Sequence, residues 1–216
     1  MGYAERNNRL LRLRLEGLRV AVDVQHLYKS SNPADRGAVF ELTGGFHLAE
    51  AQAATVYAQA LCAWLKARSA KVLTNEPARS VLVGSYYRRQ KEAESWGADA
   101  YLACHVNAGR GSYARLEYAL GAAGGSALCS RLGARLCDDF REILNYDVLP
   151  LGSKDRGYVC VGSLSRTRAA VLVEPFFGDN PGQQALLTTP RLVAVGESIG
   201  EGVARWWEAA RSARLI

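Results

Sequence analysis

Strands alternating with helices along the chain predict a single three-layer α/β domain: a twisted, mostly parallel central sheet with helices on both faces. Three observations carry this. Short apolar runs recur at Arg19–Val24, Lys71–Thr74, Ala100–Val106 and Ala169–Val173, and a strand buried on both faces reads as such a run rather than as an alternation. Segments of helical period lie between them, the order of crossover-connected parallel strands. No repeat, low-complexity segment or linker divides the 216 residues, a length that suits one domain with a substantial core.

The first strand, RVAVDV over Arg19–Val24, leads to His26 in a loop rich in Ser, Asn and Pro. Apolar and alanine residues at helical spacing predict a helix over Leu48–Arg68, with Leu61, Trp64 and Leu65 on one face. Lys71–Thr74 is the second strand, and Tyr86–Trp96 is a charged surface helix. The third strand, Ala100–Val106, ends at His105, and Arg115–Leu120 alternates as an edge strand would. Ser126–Leu144 reads as an amphipathic helix, and Ala169–Val173 (AAVLV) runs straight into Glu174. Arg191–Arg211 closes the chain as a helix whose Val195, Ile199, Val203 and Trp206 recur at three to four residues.

A net charge of +6 favours polyanions in general. Acidic residues are interspersed with the basic ones, so no dedicated nucleic-acid site is read. Five scattered cysteines without a CxxC pair are expected to be reduced, mostly buried thiols; Cys104 and Cys160, both in apolar strand-like segments, are expected to be the least accessible. Arginines interrupt the apolar run Leu10–Leu15, so the expectation is a protein made in the cytoplasm without a signal peptide. No apolar stretch approaches the length of a membrane span.

The chemistry gathers by position. His26, His105 and Glu174 each sit at or just past the carboxyl end of a buried strand, the edge over which loops converge in open parallel sheets. Glu50, in the first turn of the helix after the crossover loop, can reach the same edge. Each has an ordinary explanation: a loop hydrogen bond for His26, a helix-dipole partner for Glu50, a satisfied core histidine for His105. Glu174 is harder to explain so, because a carboxylate after Val171-Leu172-Val173 is expensive to bury unpaired. Two imidazoles, one carboxylate and water make an open catalytic zinc site. Cys104 should point away from His105 by strand alternation and belong to the core.

At these residues the sequence resembles the zinc-dependent N-acetylmuramoyl-L-alanine amidases of cell-wall remodelling and phage lysis. The family's Asp-x-Gly-His strand end appears as Asp23-Val24-Gln25-His26, followed by Gly37-Ala38-Val39 and a helix-opening Glu50. Its Ser-x-His-x-Asn strand end appears as Ala103-Cys104-His105-Val106-Asn107, and its Leu-Val-Glu-x-x-Phe-x-x-Asn segment as Leu172 to Asn180. Arg156-Gly157 stands where the family often has Arg-Gly. The resemblance runs from about Arg19 to Trp207 and implies zinc ligands His26, Glu50 and His105 with Glu174 as general base. It also implies peptidoglycan as substrate, cut between N-acetylmuramic acid and L-alanine, and a phage-type endolysin or other lytic enzyme as the setting. A basic segment, residues 1–18, would precede a catalytic domain, residues 19–216. Two departures fall close to the site: Gln25 replaces a glycine, and Thr74-Asn75 replaces the family's Thr-Arg.

Two other readings compete. His47-Leu48-Ala49-Glu50 contains an H-x-x-E pair, which with His105 would make a zinc carboxypeptidase-like peptidase. A non-catalytic wall-binding protein of the same fold would use the positive charge and need no metal. Glu117, in the alternating segment, is the other carboxylate that could serve as base.

Overall fold

Alternation along the buried strands sorts their side chains onto two faces. In the computed structural model, which describes residues 14–27, 37–42, 45–75, 84–141, 145–151 and 158–213, β1 (Arg19–Val24) turns Val20, Val22 and Val24 into one apolar cluster and Ala21 into another. The same division runs through β5 (Ala100–Cys104) and β8 (Ala169–Glu174): Leu102, Cys104, Val171 and Val173 face one way, Tyr101, Ala103, Ala170 and Leu172 the other. With β4 (Lys71–Thr74), β6 (Tyr113–Ala119) and β7 (Asn145–Leu151), these strands form a six-stranded sheet in the order β4-β1-β5-β8-β6-β7. The first four are mutually parallel. β6 is antiparallel to β8, and β7 is parallel to β6. A separate two-stranded ladder pairs β2 (Val39–Glu41) with β3 (His47–Ala49).

Helices cover both faces. The larger cluster holds residues from α1 (Glu50–Lys66), α3 (Gly125–Phe140) and α5 (Thr189–Ser212). The smaller takes Ala93 of α2 (Tyr86–Trp96) and Cys160 and Val161 of the short α4 (Tyr158–Val161). α1 and α5 cross closely because Gly196 has no side chain: a Cβ there would stand 2.1 Å from the Tyr57 carbonyl oxygen. Leu61, Leu65, Ile199 and Val203 are fully buried in this layer, where truncating a leucine to alanine typically costs about 2–5 kcal/mol. No helix among the described residues is long and apolar enough to cross a membrane.

The structure departs from the sequence expectations in particular places. Tyr113–Ala119 is interior, between β8 and β7, and not an edge strand. The edge on that side is β7, whose Asn145, Tyr146, Asp147 and Pro150 are exposed; a proline and a polar face are tolerated at an edge and hide the strand from a hydrophobicity reading. α1 starts at Glu50, because Leu48 and Ala49 pair with β2. α3 ends at Phe140, and Cys160 lies on a helical turn, not in a strand. Leu15 and Leu18, within the segment set apart for its charge, are buried in the main cluster. Residues 1–13 and the Arg156-Gly157 pair lie outside the described residues.

Candidate active site

Register brings the candidates together. Val24 pairs with Cys104, and Cys104 with Val173, so His26, His105 and Glu174 follow within two residues of one line across three parallel strands. β3 runs directly into α1, which delivers Glu50 to the same edge.

Glu50 is held from both sides. Its Oε2 accepts from the Ala38 backbone N–H at 2.9 Å, and its own N–H donates to the Ala38 carbonyl at 2.8 Å. Its Oε1 lies 2.8 Å from His105 Nδ1 and 3.6 Å from His26 Nε2, and accepts from the Val106 N–H at 3.2 Å. Gly37 makes this possible. It has φ +77°, and a Cβ there would stand 2.3 Å from Glu50 Oε2, so only glycine lets the loop close on the carboxylate. The two imidazole rings meet edge-on with centroids 5.0 Å apart. One ligand atom from each of His26, Glu50 and His105 lies within 4.8 Å of the others.

Charge in this cluster is arranged for a cation. Burial works to raise the Glu50 pKa, but the hydrogen bond and charge of His105, the charge of His26 and the Ala38 N–H together hold it below the usual value. Burial works against an imidazolium at His105, yet the Cys160 sulfur and the Glu50 carboxylate keep its pKa well above the ordinary one. A carboxylate between two imidazoles thus favours positive charge at this point, and a divalent metal could take the place of the proton. Two nitrogens and one oxygen, with the fourth position left to water, suit zinc.

Glu174 is half-buried beside this cluster. Pairing between β5 and β8 continues past the strand ends, with the Asn107 N–H donating to the Phe176 carbonyl and the Gly178 N–H to the Asn107 carbonyl, both at 3.0 Å. That continuation sets Asn107 beside Glu174, where its Nδ2 donates to Oε2 at 2.5 Å. Burial pushes the Glu174 carboxyl up to about 7; Glu117 and Glu50 add to the rise, while His105 and Arg115 oppose it. A carboxylate poised near neutrality suits an acid–base role. Glu117 is buried on the adjacent strand and paired with Arg115.

Behind His26 lies a fully buried polar network. Asp23 Oδ2 accepts from Arg89 Nε at 3.0 Å, from Gln25 Nε2 at 2.8 Å and from the Tyr101 hydroxyl. Asp23 Oδ1 accepts from Asn75 Nδ2 at 2.7 Å, and the Asn75 amide also pairs with the Val24 backbone. This network fixes the end of β1 from which His26 departs. Both departures from the family pattern, Gln25 and Asn75, belong to it.

Among the remaining candidates, His47 is exposed on β3 and is not part of the His–Glu–His group. Cys104 is buried in the main cluster. The five cysteines are free. Asn107, Arg89 and Cys160 had no role assigned from the sequence. Asn107 stands two residues past His105, a spacing that could have pointed to it; no local signal marks the other two.

A family model described as N-acetylmuramoyl-L-alanine amidase matches residues 20–205. No curated protein sequence matches the chain. Among solved structures it is similar to Cwp6 from Clostridium difficile, with 21% identity over 88% of this chain and 29% of that one and a TM-score of 0.72. It is also similar to the amidase AmiC2 of Nostoc punctiforme, with 20% identity over 92% and 99% of the two chains and a TM-score of 0.64. The catalytic domain of the CD27L endolysin targeting Clostridia difficile shares 20% identity over 87% and 97%, with a TM-score of 0.56. At these identities the likeness to solved structures shows the fold.

Proposed function

The chain belongs to the N-acetylmuramoyl-L-alanine amidase family, and from that membership and the site's chemistry we propose that it is a zinc-dependent peptidoglycan hydrolase. The bond cut is the amide joining the lactyl group of N-acetylmuramic acid to L-alanine of the stem peptide. The observation that carries the metal part of this reading is the convergence of His26, Glu50 and His105 within 4.8 Å. These three would hold the ion, with Glu50 fixed by the Ala38 N–H and His26 by the network at the end of β1. Zinc in that place supplies a Lewis acid for the amide carbonyl and lowers the pKa of water.

The proton is moved by Glu174. Ionised, it takes a proton from the attacking water and delivers it to the alanine nitrogen as the C–N bond breaks. Asn107 holds Oε2, so the carboxylate is oriented before substrate arrives. The raised Glu174 pKa serves both halves of this task, since a group that titrates near neutrality can accept and then release a proton.

We extend the reading to a lytic role of the endolysin type, for which the shared fold with an endolysin catalytic domain is the support; the clearing of intact cell walls by the purified protein tests it. The metal reading is tested by elemental analysis and by adding a chelator. One zinc per chain, with cleavage abolished by the chelator and restored by zinc, is the expected result. Full activity in metal-free protein would overturn it.

A further inference from the structure

An imidazole that gives one nitrogen to a metal keeps its ring plane and tautomer when the other nitrogen has an acceptor to bind. His105 has separate neighbours for its two nitrogens: Nδ1 faces Glu50 Oε1 at 2.8 Å, and Nε2 faces Cys160 Sγ at 3.8 Å. Cys160 is buried, 8% exposed, on α4 against the smaller apolar cluster. Its backbone is held too, because the Cys160 carbonyl accepts from Gln25 Nε2 at 3.3 Å, the same amide that donates to Asp23. Gln25 precedes His26. A single side chain therefore ties the turn carrying one candidate ligand to the turn carrying the thiol that touches the other. Gln25 Oε1 is buried without a hydrogen-bond partner among the described residues, so the amide's contacts are made through Nε2.

We propose that Cys160 is the positioning residue of His105, and that Gln25 sets the thiol in place. When the metal is bound, the sulfur would accept the Nε2–H, leaving Nδ1 to the metal and holding the ring turned toward Glu50. The inference rests on the zinc reading above. It accounts for the glutamine that stands in this chain where the family has glycine: the added bulk points away from the ligand cluster and into the contact that orients it.

Zinc affinity, measured by competition with a chelating dye, tests this on the wild type, Cys160→Ala and Cys160→Ser, alongside 15N NMR of the His105 ring in the zinc-loaded proteins. Sulfur is a weak acceptor, so the loss in Cys160→Ala is expected at roughly tenfold, the low end of the usual range for such partners. Cys160→Ser, which restores an acceptor, recovers most of it. The Nε2–H signal is expected in wild type and Cys160→Ser and lost to exchange in Cys160→Ala. Wild-type zinc affinity and an unchanged Nε2–H in Cys160→Ala would overturn the proposal and leave the zinc reading standing. A serine variant as weak as the alanine variant would also overturn it. A wild-type protein that takes up no zinc would remove the zinc reading, and this inference with it.

Discussion

Replacing Glu174 with glutamine separates proton transfer from everything else the residue does. Glutamine keeps the size and leaves an acceptor oxygen for the Asn107 amide, which lies 2.5 Å from the carboxylate in wild type. It also removes a charge whose burial is already unfavourable enough to raise the pKa to about 7. Folding and zinc uptake should therefore survive. Turnover should not: general-base assistance is worth about a hundredfold to ten-thousandfold, or roughly 3–5 kcal/mol of activation free energy. Hydrolysis of a defined muropeptide, followed by chromatography at saturating substrate, reads the loss in kcat rather than in KM. A Glu174→Gln enzyme within about tenfold of wild type, below the range such assistance spans, would refute the assignment and make Glu117 the next residue to test.

His26→Ala and His105→Ala should each lose bound zinc by elemental analysis while His47→Ala keeps it; metal loss in His47→Ala with retention in His26→Ala would transfer the ligand set to the H-x-x-E pair with His105. Arg89→Met leaves Asp23 buried without its cation and should cost about 3–5 kcal/mol in a denaturant titration, whereas a change within about 0.5 kcal/mol, typical of a surface site, would show that the network is not needed. In metal-free protein the Glu174 pKa rises from 4.5 to about 7 on folding, so its contribution is full below about 4.5 and is lost as pH climbs through about 7. Glu174→Gln has no such loss, and its stability relative to wild type should grow across that window by up to roughly 3 kcal/mol; a difference independent of pH would contradict the raised pKa.

The parallel core of the fold was legible because its strands are apolar on both faces: RVAVDV and AAVLV admit few other readings. β7 was not, since an edge strand with exposed Asn145, Tyr146 and Asp147 carries no hydrophobic signature. The short β2–β3 ladder shows no signal in the sequence, because three residues are too few to show a period, and Leu48 and Ala49 of β3 read instead as the start of the helix. At the site, His26, His105 and Glu174 could be singled out because a strand end is visible in sequence, and Glu50 because it opens a helix. The groups that hold them could not. Arg89 reaches Asp23 from a helix 66 residues away, and Cys160 reaches His105 from 55 residues away. Contacts of that range depend on how layers pack, which no local pattern records. Gln25, which stands beside the first candidate ligand, turns its side chain toward Asp23 and Tyr101.

The bond that is cut tests the account most directly. Purified peptidoglycan is digested with the zinc-loaded protein, with and without a chelator, and the new ends are identified by mass spectrometry. The account predicts stem peptides with a free L-alanine amino terminus and glycan strands with free lactyl carboxylates, neither forming when the chelator is present. New reducing sugar ends, or free D-alanine released from peptide C-termini, would contradict it.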